Sequence, residues 1–126
     1  MEPKNIFLLI GAIFGGFAVI LGAFGAHYFK KLISKERLES FETDVKYQMY
    51  HAIVLLIVGV ALPLNTSSQI WACRCFVIGT ILFSGSIYFL SFADYWKKNL
   101  KFLGPITPLG GLFLIIGWGS LVAYFL

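Results

Sequence analysis

Apolar residues fill four stretches of the chain, residues 6–26, 45–64, 70–93 and 107–126, and polar residues gather in the short segments between them. Each stretch is about 20 residues long, which is what a helix needs to cross the hydrocarbon of a bilayer. Lipid offers no water to backbone N–H and C=O groups, so spans of this length are helices; barrel strands would be shorter and would alternate in character. The pattern predicts an all-α membrane protein, a compact antiparallel four-transmembrane-helix bundle forming a single domain over residues 1–126. Ahead of the second span, Leu38, Phe41, Val45 and Met49 recur at helical spacing from Ser34 onward, with Lys35, Glu36, Glu39 and Lys46 elsewhere around the helix. This predicts a short amphipathic cytoplasmic helix that runs into the second span and lies at the interface or covers that end of the bundle.

The ends of the spans carry their own signals. Pro63 and the run Asn65-Thr66-Ser67-Ser68 stop the second span and form a tight outer turn. Thr107 followed by Pro108 reads as an N-cap with proline at the first helical position. Lys4 ahead of an apolar run and Ala23-Phe24-Gly25 loosely resemble a secretory signal peptide. The apolar core of such a peptide is about 7–15 residues, shorter than this run, so the segment is expected to be retained as a span.

Small residues mark where helices should meet. Gly11, Gly15, Ala18, Gly22 and Gly25 in the first span are separated by four, three, four and three positions; Ala72, Gly79, Ser86 and Ala93 in the third recur every seven. Gly110 and Gly117 repeat that spacing in the fourth, with Ser120 one turn on. Helices in lipid gain little from hiding apolar surface, so close backbone approach must hold them together, and small side chains permit it. A repeat of about 3.5 residues implies shallow left-handed crossings.

Composition agrees with a membrane solvent: 59% of residues are apolar and 13% charged, and the mean hydropathy is +0.84, which a soluble domain of this size could not sustain. Charge then orients the chain. Lys30, Lys31, Lys35, Arg37 and Lys46 lie between the first two spans and Lys97, Lys98 and Lys101 between the last two, against only Lys4 and Arg74 on the other side. The acids Glu36, Glu39, Glu42 and Asp44 temper the first connection, but orientation follows Lys and Arg, which places both connections in the cytoplasm and both termini outside. The net charge of +4 is accounted for by topology and by attraction to anionic headgroups, so no nucleic-acid partner is implied.

With that topology, His27, Gln48, His51, Asp94 and Thr107 all fall near the cytoplasmic interface, and Ser84, Ser86 and Tyr88 lie one to three turns deeper. This predicts a polar cluster, with a cavity that could enter from the cytoplasm. Three readings compete. The preferred one is structural: His27 caps the carboxyl end of its helix, and Gln48 and His51 bond across helices or to backbone. The second is a gate or proton-responsive site, since histidine titrates near neutral pH. The third is a metal or haem site, for which two imidazoles and one carboxylate fall short of a full ligand set. Cys73 and Cys75 sit two apart on a helix, point to different faces and are read as unpaired apolar filler. Arg74 is read as snorkelling to lipid headgroups. Tyr88 and Trp118 are expected to donate hydrogen bonds inside the bundle, and the other Trp and Tyr residues to form an interfacial belt. No phosphate-cradling loop, paired carboxylates within a span or nucleophile with an adjacent base is present, so no catalytic residue, metal or cofactor is assigned.

Several blocks resemble a known family. Gly22-Ala23-Phe24-Gly25-Ala26-His27, Tyr47-Gln48 with His51-Ala52, Phe83-Ser84-Gly85-Ser86-Ile87-Tyr88, and Ile106-Thr107-Pro108-Leu109-Gly110-Gly111 ending in Gly117-Trp118 are similar, in order, to domain-of-unknown-function family 423. The resemblance covers nearly the whole chain; within Cys73-Arg74-Cys75 it extends only to Arg74, whose position matches a basic residue of the family. It implies a small multi-pass protein of a bacterial inner membrane or mitochondrion and supplies no catalytic residues. The expected role is therefore a non-catalytic accessory, assembly or membrane-organising component, in contact with lipid and with a membrane-protein complex or a second copy of itself. The alternative is a small transporter or channel for protons or a compact solute. Against it stands the absence of Asp or Glu at mid-span.

Overall fold

The computed structural model describes residues 2–126 and is helical throughout its spans. Its elements are α1 (Pro3–Ile20), a π turn (Leu21–Gly25), α2 (Ala26–Phe29), α3 (Lys35–Ala61), α4 (Ser67–Ser91), α5 (Ala93–Trp96), a 3₁₀ turn (Lys101–Leu103) and α6 (Ile106–Phe125). Four helical segments, Pro3–Phe29, Lys35–Ala61, Ser67–Ser91 and Lys101–Phe125, are long and apolar enough to cross a membrane. The chain is an all-α multi-pass membrane protein.

Several boundaries differ from the hydropathy pattern, each for a local reason. The first helix continues past residue 26 because a π turn, which takes in one extra residue, carries it on to Phe29. The amphipathic segment and the second span are one helix of 27 residues, begun by Ser34, whose hydroxyl accepts from Arg37 N–H at 3.2 Å. Thr66 caps α4 by accepting from Gln69 N–H at 3.4 Å, and the turn before it places Leu64 at φ 53° with its side chain buried. Thr107 is not an N-cap. Pro105 holds that position and α6 opens at Ile106, which leaves Pro108 still within the first turn, where a missing N–H costs nothing.

Packing follows the antiparallel order of the chain. The small-residue line of α1 lies on α3: a Cβ at Gly11 would stand 3.1 Å from Ala52 O and from Leu55, one at Gly22 would stand 3.3 Å from Val45, and one at Gly25 would stand 3.2 Å from the Phe41 ring. The line of α4 lies on α6, where a Cβ on Gly79 would meet Gly110 O at 2.9 Å and a Cβ on Gly110 would run into the backbone of Phe83. Phe76 fills the space that Gly117 leaves. α3 and α4 pack on each other between these two pairs. Among the described residues, the backbone of α1 reaches α4 only slightly and that of α6 not at all. The bundle is therefore ordered α1, α3, α4, α6, with its two end helices apart. Phe7, Leu55, Val58, Leu62, Leu64, Cys73, Phe76 and Leu114 form its apolar core.

Candidate functional site

Buried residues on α3 fall on one line: Phe41, Asp44, Gln48, His51, Leu55 and Val58, at spacings of three and four that place them on a single helix face. Opposite them, α4 presents Thr80, Ser84 and Tyr88, one turn apart. Between these helices is a polar layer. Tyr88 O–H donates to Gln48 Oε1 at 2.6 Å, and Gln48 Nε2 donates to Phe14 O of α1 at 2.8 Å, so one amide joins three helices. One turn deeper, Trp118 Nε1–H of α6 donates to His51 Nε2 at 3.1 Å. An indole N–H is donor only, so Nε2 must be the unprotonated nitrogen; Nδ1 then carries the proton and donates to Tyr47 O at 2.8 Å. His51 has no nitrogen left over. Phe76 packs edge-on to Trp118 with ring centroids 5.4 Å apart and completes the layer.

A second polar contact ties α4 to α6. Ser86 Oγ donates to Phe83 O at 3.0 Å and lies 2.5 Å from Thr107 Oγ1, beside the crossing of Gly79 and Gly110. The structure thus brings Gln48, His51, Ser84, Ser86, Tyr88 and Thr107 to neighbouring helix interfaces. His27 and Asp94 stand apart. His27 is exposed on α2, and Asp94 is exposed and pairs with Arg37 Nε at 3.6 Å. Arg74 is exposed, with its guanidinium 4.9 Å from the Trp71 ring centroid. Cys73 and Cys75 are free thiols in the interior. Among the described residues, no three His, Cys, Asp or Glu side chains come together as metal ligands.

Asp44 does not belong to the connection, where its sequence position suggested a solvated acid. It is fully buried on the polar line of α3, next to the Ser84 hydroxyl and near Tyr88. Neither carboxyl oxygen, nor Ser84 Oγ, nor Thr80 Oγ1, has a partner in hydrogen-bonding geometry.

A family model described as "Protein of unknown function (DUF423)" matches residues 21–111. The chain belongs to this family. Relatives of DUF423 type include the UPF0382 membrane protein SAB0533 of Staphylococcus aureus, 41% identical over 94% of this chain and 93% of its own length. UPF0382 membrane protein YwdK of Bacillus subtilis is 40% identical over 94% of both chains, and a UPF0382 membrane protein of Haemophilus influenzae is 36% identical over 94% of this chain and 91% of its own. No solved structure matches this chain. The DUF423 match takes in the π turn, the polar line of α3, all of α4 and the Gly110 crossing, and ends before Trp118.

Two members of the polar layer, Asp44 and Thr80, escaped the sequence reading. Their signal was present: Asp44, Gln48 and His51 are spaced four and three, and Thr80, Ser84 and Tyr88 four and four. The apolar periodicity of Leu38, Phe41, Val45 and Met49 points to a neighbouring face of α3, whereas in a membrane polar residues are the ones that must turn inward.

Proposed function

We propose that this DUF423 protein is a non-catalytic accessory component of its membrane, one that packs beside another integral membrane protein or organises the lipid around it. The observation that carries this reading is the state of His51. The one histidine buried in the spans has one nitrogen bonded to Trp118 and the other to the Tyr47 carbonyl, so it serves helix packing rather than proton transfer. Gln48 and Ser86 are likewise engaged with neighbouring helices.

The order of the helices supports a role beside something else. α1 and α6 each have one main partner, and their outer faces, with Ile13 and Phe17 on one flank and Leu112, Ile115 and Val122 on the other, are apolar and exposed. Lipid, a second copy or another membrane protein can line both flanks; nucleic acid has no place in this reading. The membrane is the bacterial cytoplasmic one, as the bacterial relatives suggest, and the Lys- and Arg-rich end that joins α2 to α3 and α5 to α6 faces the cytoplasm, with both termini outside.

The test is native purification in lipid nanodiscs followed by mass spectrometry of co-purifying proteins and lipids. A stoichiometric membrane-protein complex supports the accessory role. A partner-free protein that conducts solute or protons in liposomes overturns it.

A further inference from the structure

Of the six acidic side chains in the sequence, Glu2, Glu36, Glu39, Glu42 and Asp94 are exposed and only Asp44 is buried, completely so. Its two oxygens have no hydrogen-bonding partner. No cation answers its charge. Arg37, two turns back on α3, is turned to Asp94 at 3.6 Å, and Lys46 is exposed. Among the described residues, no Lys or Arg borders the cavity that Asp44 shares with Glu36, Glu39 and Tyr47. The elements packed against α3 supply none either. The titratable side chain of α1 is Lys4, whose residue lies beside Gly59 at the far end of α3; the π turn has none, and His27 and Tyr28 of α2 are exposed. From α4, Ser84 and Tyr88 face Asp44, but Tyr88 O–H is spent on Gln48 at 2.6 Å, and Arg74 is roughly 15 Å along that helix from Ser84 at about 1.5 Å per residue. By the same measure Ser84 sits roughly 10 Å inside the Ser91 end of α4, so this carboxyl lies within the span.

Keeping a proton on an ordinary carboxyl at neutral pH is disfavoured roughly a thousandfold. Ionising one that is fully desolvated, with neither donor nor counter-charge, is disfavoured more strongly, so a group in this position neutralises instead. We propose that Asp44 is a proton-binding site: in the folded protein at neutral pH its carboxyl is the neutral acid, and with Ser84 it forms an uncharged contact between α3 and α4 that loss of the proton breaks. Protonation supplies what the interface lacks. The neutral acid carries one O–H donor, and a serine hydroxyl offers the acceptor it needs; Ser84 Oγ, beside it, has no partner of its own. The same hydroxyl could not balance the full charge of a carboxylate. The proton-responsive group of the bundle is then this carboxyl and not His51, one helix turn beyond Gln48, whose two nitrogens are both bonded. This inference does not depend on the accessory role, since a proton that is held is not carried across the membrane.

The experiment uses the full-length protein purified in dodecyl maltoside, a detergent without carbonyl groups, with its aspartate carboxyls isotope-labelled by cell-free synthesis. The sequence has two aspartates, Asp44 and Asp94, so the infrared difference between labelled and unlabelled protein reads these two groups, and Asp94→Asn leaves Asp44 by itself. At neutral pH the exposed Asp94 should absorb as a carboxylate and Asp44 as a neutral carboxylic acid. A carboxylate band from Asp44 overturns the site. The second measurement is the unfolding equilibrium in mixtures of dodecyl sulfate and dodecyl maltoside as pH is raised from weakly acidic to neutral. The folded state keeps a proton that the unfolded chain has released, so stability falls as pH rises, and the folding constant should drop by up to about tenfold per pH unit, the limit for one proton. Asp44→Asn, which cannot ionise, should lack that drop; His51 and the surface groups titrate alike in both proteins and cancel in the comparison. Equal pH dependence in wild type and Asp44→Asn overturns the proposed contact. If Asp44→Asn does not fold, the infrared band of Asp44 in the Asp94→Asn protein decides: a neutral acid supports the site and a carboxylate overturns it.

Discussion

Trp118 on α6 donates its indole N–H to Nε2 of His51 on α3 at 3.1 Å, and this bond joins two helices whose backbones do not approach each other. It reaches across beside Phe76 of α4, whose ring lies 5.8 Å from the His51 ring centroid. A side-chain pair therefore closes a contact that backbone packing leaves open. Trp118→Phe keeps an aromatic ring there but removes the donor, and should lower stability by about 0.6 kcal/mol, the average for hydrogen bonds between membrane helices, and by no more than about 1.7 kcal/mol. Unfolding by denaturing detergent in bicelles measures it. A double-mutant cycle with His51→Phe that returns no coupling would show that the bond contributes nothing to stability.

The glycines divide into those the packing needs and those it does not. A methyl group at Gly110 would strike the backbone of Phe83, which no side-chain rotation can relieve. Gly110→Ala should cost about 2 kcal/mol or more through overpacking. At Gly119 a Cβ meets nothing within 4 Å, and Gly119→Ala should stay within about 0.5 kcal/mol of wild type. The same unfolding assay applied to both variants checks the contrast, and equal effects would refute the α4–α6 crossing described above.

The orientation proposed for the bundle can be read from single cysteines. Cys73 and Cys75 are buried, so the native chain should give little background with a membrane-impermeant maleimide. In intact cells Asn65→Cys, in the outer turn, should be labelled and Asn99→Cys should be protected until the membrane is permeabilised. The reverse pattern would invert the topology.

Arg37 and Asp94 pair at 3.6 Å, with Asp94 largely in solvent and Arg37 partly so. Exposed ion pairs of this kind contribute little, because water screens the attraction and ordering two side chains costs entropy. Asp94→Asn should change stability by less than about 0.5 kcal/mol, as denaturing detergent would report. A larger loss would mean that α5 anchors the start of α3 more firmly than the pair itself implies.

The helical spans were legible in the sequence because backbone hydrogen bonding in lipid leaves few alternatives, and the seams were legible because close approach requires small side chains. Gly11, Gly22, Gly79 and Gly110 all lie against a neighbouring helix. The polar cluster was only partly legible. Gln48, His51, Ser86, Tyr88 and Thr107 could be assigned to one part of the bundle from topology, yet His27 and Asp94 were placed with them on depth alone, and depth says nothing about which way a side chain faces. The rotation of each helix about its axis decides that, and it is set by which neighbours a helix packs against.

By itself, then, the sequence determined the solvent, the number of spans, their antiparallel order and which residues let helices come close, since each depends on composition and spacing along one helix. The tertiary structure decided the rest. It paired α1 with α3 and α4 with α6, kept α1 and α6 apart, bonded both nitrogens of His51 and drew Asp44 out of the connection into the interior. These outcomes depend on contacts between residues distant in the chain, and the periodicity of a single helix contains no information about its partner.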